Sequence, residues 1–213
     1  MAIDVKICGI TDEAGLRAAV EGGARYVGFV FHPPSPRALS AETARKLATL
    51  VPVSVTAVGL FVDPDERELH ALLKNVPLGM IQLHGKESPT RVMSVRAITG
   101  LPVMKAIGIG TVDDLAQIAA YESVADRLLF DAKPAANAKS PGGNAESFNW
   151  ALMKGHVFKK PWLLAGGLTA QNLPEAVAAS GAPGVDVSSG VEDRPGHKDP
   201  VKIREFLDAA KRL

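Results

Sequence analysis

Residues 161–192 read Pro-Trp-Leu-Leu-Ala-Gly-Gly-Leu-Thr-Ala-Gln-Asn-Leu-Pro-Glu-Ala-Val-Ala-Ala-Ser-Gly-Ala-Pro-Gly-Val-Asp-Val-Ser-Ser-Gly-Val-Glu. An apolar run, Pro161–Ala165, breaks at Gly166-Gly167. A helix-like segment then closes at Gly181, and a second apolar run, Gly184–Ser188, breaks at Ser189-Gly190. Short apolar runs bounded by glycine read as buried strands, and a helical segment between two of them makes a βα unit. Strands joined in this way lie parallel.

The unit recurs along the whole chain. Further strands are expected near Val5–Cys8, Tyr26–Phe31, Ser54–Phe61, Met80–Leu83, Pro102–Ala106 and Arg127–Asp131. Helix starts are marked by Thr11-Asp12-Glu13, Ser40-Ala41-Glu42 and Asp63-Pro64-Asp65-Glu66, the last with proline in its first turn. Thr111-Val112-Asp113-Asp114 and Asp199-Pro200 open two more, while Gly22-Gly23, Gly100 and Gly181 punctuate helix ends. Strand starts are mostly 21–28 residues apart, with one interval of 34 between the sixth and seventh. That interval holds Ala132–Ala145, rich in Pro, Ala, Asn and Gly, expected to be a mobile loop over a site. Eight βα units in 213 residues fit a single-domain (β/α)8 TIM barrel spanning 1–213. A doubly wound open sheet is the alternative, but it needs only five or six strands and no G-x-G-x-x-G follows the first one.

Composition narrows the function. At 46% hydrophobic the chain can bury a sizeable core, which excludes disorder. Lys and Arg number 24 against 23 Asp and Glu, with no basic run, so neither nucleic acid nor a membrane is an expected partner. One Cys excludes a disulfide framework, and five scattered His without HxH or HxxxH spacing give no metal motif. The N-terminus carries Asp4 and Lys6 and lacks an apolar signal region, and the longest uncharged stretch, Leu47–Val62, is broken by Pro52, Ser54 and Thr56. A cytoplasmic protein is expected.

Barrel chemistry occurs at the C-terminal strand ends, and polar residues interrupt the apolar runs there. Cys8 closes strand 1, Gln82 and His84 share a face on strand 4, Asp131 closes strand 6, and Asp186 and Ser188 share a face on strand 8. The glycine turns after strands 7 and 8 suit a phosphate, because glycine lets backbone N–H groups come close to an oxyanion. Gly166, Gly167, Ser189 and Gly190 are the candidates, and no Lys or Arg lies between 161 and 191. After strand 2, three prolines in His32-Pro33-Pro34-Ser35-Pro36-Arg37 make a stiff loop that would hold Arg37 for a carboxylate. Alone, Arg37 also reads as a surface residue on a rigid connector, Cys8 as a small buried hydrophobe, and His84 equally as a structural hydrogen bonder or a substrate contact. An Asp after Leu-Leu-Phe needs a purpose or a partner. His32, His70, His156 and His197 are assigned to surface or loop roles.

Together these residues resemble the phosphoribosylanthranilate isomerase family of tryptophan biosynthesis. The matches are Lys6-Ile7-Cys8-Gly9-Ile10-Thr11, Gly28-Phe29-Val30-Phe31 with Ser35-Pro36-Arg37, and Ile81-Gln82-Leu83-His84-Gly85. Leu129-Phe130-Asp131, Leu164-Ala165-Gly166-Gly167-Leu168 and Asp186-Val187-Ser188-Ser189-Gly190-Val191-Glu192 complete the set, in order over nearly the whole chain. The resemblance implies a TIM barrel without cofactor; no bound metal is expected, and a monomer is expected rather than a homodimer. Its substrate would be a small phosphorylated molecule, N-(5-phosphoribosyl)anthranilate, rearranged by an Amadori reaction to 1-(2-carboxyphenylamino)-1-deoxyribulose 5-phosphate. By the same resemblance Cys8 is the general base, Asp131 the general acid, and Arg37 faces the anthranilate carboxylate. Gln82, His84 and Asp186 would be substrate contacts. One departure stands out: where the family reads like G-G-T-G before F-x-W, this chain has Pro141-Gly142-Gly143-Asn144-Ala145-Glu146-Ser147-Phe148-Asn149-Trp150.

Such chemistry needs Asp131 protonated and Cys8 ionised, so the site is expected to raise the first pKa and lower the second. Lys6 shares strand parity with Cys8 and is expected to pair with Asp186. Two other readings compete. A different phosphosugar barrel would want catalytic Lys and Glu at several strand ends, or inner-strand His and Asp metal ligands. A regulatory barrel that binds a phosphorylated ligand without turnover would not need both an acid and a base.

Overall fold

A computed structural model describes residues 3–133, 142 and 147–213. Eight parallel strands close into a barrel in chain order: β1 Asp4–Cys8, β2 Tyr26–Val30, β3 Thr56–Phe61, β4 Met80–Leu83, β5 Val103–Ile109, β6 Arg127–Ala132, β7 Trp162–Leu164 and β8 Gly184–Val187. β8 returns to β1 with Lys6 opposite Asp186, which removes every free sheet edge. The open-sheet alternative is excluded. Around the barrel run α1 Glu13–Glu21, α2 Ala41–Thr49, α3 Glu66–Leu73, α4 Pro89–Thr99, α5 Ile118–Glu122, α6 Leu173–Ser180 and α7 Pro200–Lys211. Among the described residues the sixth unit has no α-helix, only a 3-10 turn at Trp150–Met153. Most of Ala132–Ala145, expected as a mobile loop, lies outside the described residues. No helix among the described residues is long and apolar enough to cross a membrane.

The helices start where short polar side chains can accept the first free backbone N–H groups. Asp12 accepts from Gly15, Ser40 from Thr43, Asp65 from Glu68, Ser88 from Arg91 and Asp199 from Val201. Gly100 and Gly181 end α4 and α6 in the left-handed region, at φ 66° and 72°, as the C-terminal signals require. Pro64 was expected inside α3, but Asp65 is the cap and Pro64 precedes it. Thr111–Asp114 opens a 3-10 turn, Val112–Gln117, before α5 begins. The Asp114 carboxylate accepts from the amides of Gly110 and Thr111 and draws that turn tight. β5 continues past the expected end at Ala106 because Gly108 and Ile109 pair with Asp131 and Ala132.

Three apolar layers separate cleanly. The largest lies between strands and helices and includes Ile7, Phe29, Ile81, Phe130 and Phe206, all fully buried. A second, inside the barrel, is built from Tyr26, Val58, Met80, Met104, Leu129 and Leu163. Above it a small cluster of Cys8, Val30 and Leu60, backed by Val62, forms an apolar floor at the C-terminal mouth. A hairpin not expected from the sequence, β9 Glu192–Arg194 with β10 His197–Lys198, straps the chain between β8 and α7.

Candidate active site

The mouth of the barrel holds a cavity of about 760 Å³, counting its open entrance, a size suited to a sugar phosphate carrying an aromatic ring. Cys8, Val30, Leu60 and Val62 give it an apolar side. His84, Asp131 and Asp186 supply polar groups, and the turns after β7 and β8 form the rim.

On one wall, β1 turns Lys6 and Cys8 inward. Lys6 is fully buried and its Nζ donates to Asp186 Oδ1 at 2.9 Å, as the strand parity led one to expect. Gly28 lies opposite Cys8 on β2, and a Cβ there would come within 2.9 Å of the thiol sulfur and 3.2 Å of Lys6 Nζ. Glycine at that position makes room for the sulfur. Burial pushes the Cys8 thiol above its ordinary value, and the Lys6 charge opposes this without overcoming it. The expected lowering is therefore absent: with Asp186 close by, its negative charge adds to the desolvation of a thiolate. Burial also works to discharge Lys6, but Asp186 and Cys8 hold its pKa above the usual lysine value.

Arg37 reaches the same wall from the loop after β2. It is 7% exposed and grips Glu192 with two bonds, Nε to Oε1 at 2.7 Å and Nη2 to Oε2 at 2.9 Å. The proline loop alone does not hold it; a charge-assisted fork does. Lys198 donates to the same Glu192 Oε1 at 2.6 Å and to the carbonyl of Ser188 at 2.9 Å, while Ser188 Oγ donates to the carbonyl of Cys8. Burial would raise the Glu192 pKa, yet Arg37 and Lys198 together hold it below the usual carboxylate range. Burial depresses the Lys198 ammonium despite Glu192 beside it. Glu192 stood in the quoted run without an assigned role, and Lys198 was missed because only the unexpected hairpin brings it inward.

The opposite wall is built on β4 and β6. Asp131 is 7% exposed; its Oδ1 accepts from the Ala132 amide at 2.8 Å, and its Oδ2 lies 3.2 Å from His84 Nε2. His84 Nδ1 in turn lies 3.0 Å from Gln82 Nε2. Gln82 is fully buried and absent from the cavity wall. Two residues back along β4, it sits below His84 rather than beside the cavity. The end of β4 is pinned by Lys105, whose Nζ donates to Glu87 at 2.7 Å and to the carbonyls of Gly85 at 2.8 Å and Leu83 at 3.3 Å. Gly142 covers this wall, since a Cβ there would fall 2.6 Å from Asp131 Oδ2 and 2.7 Å from His84 Nε2.

At the rim, Gly166 and Gly167 have positive φ, 89° and 63°. Among the described residues the amides of Gly166, Gly167, Ser188 and Ser189 have no hydrogen-bond acceptor, and all four residues line the cavity. Gly190 has another reason to be glycine: a Cβ would lie 1.9 Å from the Leu168 carbonyl, so it lets the two rim turns touch. His32 and Ser35 also line the cavity, a placement the sequence did not suggest. Among the described residues no group of three or more His, Cys, Asp or Glu could hold a metal ion.

Residues 5–209 match the profile of the family described as N-(5'-phosphoribosyl)anthranilate (PRA) isomerase. The chain is 58% identical to the N-(5'-phosphoribosyl)anthranilate isomerase of Paracoccus denitrificans, over 99% of this chain and 98% of the relative. Among solved structures it is similar to the phosphoribosyl anthranilate isomerase of Thermotoga maritima, with a TM-score of 0.86 and 35% identity over 99% of this chain and 100% of that one. A second structure, of a phosphoribosyl anthranilate isomerase in complex with reduced 1-(o-carboxyphenylamino)-1-deoxyribulose 5-phosphate, has a TM-score of 0.85 and 34% identity, over 99% of this chain and 100% of that one.

Proposed function

The chain belongs to the phosphoribosylanthranilate isomerase family of tryptophan biosynthesis, and on that premise we propose that it performs an Amadori rearrangement with Asp131 as acid and Cys8 as base. The reaction is the third step counted from anthranilate formation. Its substrate is N-(5-phosphoribosyl)anthranilate, a furanose aminal with a phosphate at one end and an aromatic carboxylate at the other. Asp131 gives a proton to the ring oxygen, the C1–O bond breaks, and the nitrogen lone pair forms a C=N bond to C1. The Cys8 thiolate then takes the proton from C2, leaving an enolamine. Protonation at C1 and loss of the C2 hydroxyl proton give the ketone. Atoms balance throughout, and no electron acceptor is needed.

Cys8 rests as a thiol, so the thiolate is a minor form at neutral pH. Lys6 beside it stabilises that form as it appears. The phosphate is received by the rim amides of Gly166, Gly167 and Ser189, and the carboxylate by the Arg37 guanidinium that Glu192 holds. Asp186 keeps Lys6 charged and in place. What supports this reading most is a thiol and a carboxyl group on separate walls of one cavity whose rim offers amides without an acceptor among the described residues. The loss of anthranilate fluorescence on turnover of freshly generated phosphoribosylanthranilate tests it. Cys8→Ser and Asp131→Asn should each lose about 10²–10⁴-fold in kcat while staying folded and binding a product analogue. Either variant turning over within about threefold of the parent, under 1 kcal/mol of barrier, removes that residue from the mechanism.

A further inference from the structure

Among the described residues, Gln82 carries the one buried side-chain atom in the acid wall that finds no partner. The side chain is fully buried; its Nε2 lies 3.0 Å from His84 Nδ1, and its Oε1 makes no hydrogen bond. A buried, unmet acceptor asks for a reason. The reason is set by what each atom can do. An amide nitrogen only donates, so the His84 Nδ1 facing it must accept through its lone pair. A neutral imidazole has one N–H, which then sits on Nε2, the nitrogen 3.2 Å from Asp131 Oδ2. Turning the amide over would aim Oε1 at Nδ1 and strand the whole NH2 group, with two donors, where now a single carbonyl oxygen goes unmet. Unmet carbonyl oxygens are the lesser cost.

We infer that Gln82 is a positioning residue for the acid: it locks His84 as the Nε2–H tautomer, with the protonated nitrogen beside Asp131. The inference rests on Asp131 being the acid, and it adds what that acid needs. As Asp131 gives its proton to the ring oxygen, a carboxylate forms in a buried pocket, where an unsolvated charge is costly. The Ala132 amide already donates to Oδ1, and a protonated His84 Nε2, 3.2 Å from Oδ2, puts the positive end of a ring N–H dipole beside that oxygen. Both interactions strengthen as charge develops, so they favour the transition state over the resting acid. Gln82 touches neither substrate nor cavity; its effect passes wholly through the imidazole.

The tautomer can be read without turnover. In protein labelled with ¹⁵N at histidine, the His84 signals, identified by their loss in His84→Asn, should show a protonated Nε2 and a bare Nδ1. A protonated Nδ1, or a rapid average of the two forms, overturns the inference whatever the role of Asp131. Gln82→Met removes the donor at similar length. It should let the tautomers mix and lower kcat by roughly tenfold, the worth of about one hydrogen bond, with KM within about twofold. Gln82→Glu puts an acceptor against Nδ1, so the proton should move to Nδ1 and kcat should fall further than in Gln82→Met. A merely structural glutamine predicts lower melting temperatures with the tautomer and kcat unchanged, and that pattern in whichever variant folds rejects the proposal. Failure of the acid reading shows differently, as full turnover by Asp131→Asn alongside an intact Nε2–H signal.

Discussion

The two walls of the cavity handle charge in different ways. Around Cys8, three basic side chains, Lys6, Arg37 and Lys198, meet two carboxylates, Asp186 and Glu192, in buried pairs of 2.6–2.9 Å. A thiolate at Cys8 would balance that set. Around Asp131 the partners are a backbone amide, an imidazole and, behind it, a primary amide. The base wall therefore stores its preparation for charge in ion pairs already taken out of water, whereas the acid wall offers Asp131 an amide dipole and an imidazole. Breaking a buried ion pair strands its partner and costs stability. Removing a hydrogen-bond donor from the acid wall costs mainly turnover.

The largest break in this contrast is Lys6→Met. It leaves Asp186 buried without its cation and should cost about 3–5 kcal/mol of unfolding free energy in a denaturant titration, together with most of the activity. A stable, active Lys6→Met protein would show that the base wall does not depend on the pair. Glu192→Gln is milder, because the amide oxygen still accepts one bond from Arg37. It should cost roughly 1.5–3 kcal/mol and, if Arg37 receives the carboxylate as proposed, raise KM more than it lowers kcat. The acid wall should answer in the opposite sense. Gly142→Ala drives a methyl group against Asp131 and His84. It should raise the barrier by about 1–3 kcal/mol, read as kcat, with the melting temperature nearly unchanged. A large drop in melting temperature with kcat intact would erase the distinction between the walls.

The smallest effect is on acid stability. The Glu192 pKa is held down in the folded protein, so its contribution is complete above the ordinary value of 4.5 and is lost as pH falls through the lower, folded value. The stability gap between the parent and Glu192→Gln should thus narrow on going from neutral pH to about pH 3. A gap that stays constant would mean that Glu192 carries no coupled proton.

Much of the barrel was legible because strand spacing and glycine punctuation are local signals. The runs at Tyr26, Met80, Arg127 and Gly184 begin where β2, β4, β6 and β8 begin. The shared parity of Lys6 and Cys8 followed from strand alternation, whereas the choice of Asp186 as the partner of Lys6 is fixed only by the closure of β8 onto β1. Other features depend on contacts between distant segments and carry no local pattern. Glu192 grips Arg37 across 155 residues of chain, and Lys198 turns inward only because Glu192–Lys198 folds back as a hairpin. The rise in the Cys8 pKa was missed for a different reason. The lysine and the carboxylate near it are both visible in sequence, but the desolvation that outweighs Lys6 is a property of the packed cavity. Gln82 shares a strand face with His84, as read, but its depth along β4 decides that it acts behind the imidazole.

The assignment of acid and base to opposite walls is tested most directly by turnover of substrate carrying deuterium at C2. With Asp131→Asn, ring opening limits the rate, so protiated and deuterated substrates should react equally fast. With Cys8→Ser, removal of the C2 proton limits the rate, so the deuterated substrate should react several-fold more slowly, as expected for a primary isotope effect. An isotope effect in Asp131→Asn and none in Cys8→Ser would reverse the two roles and contradict the account.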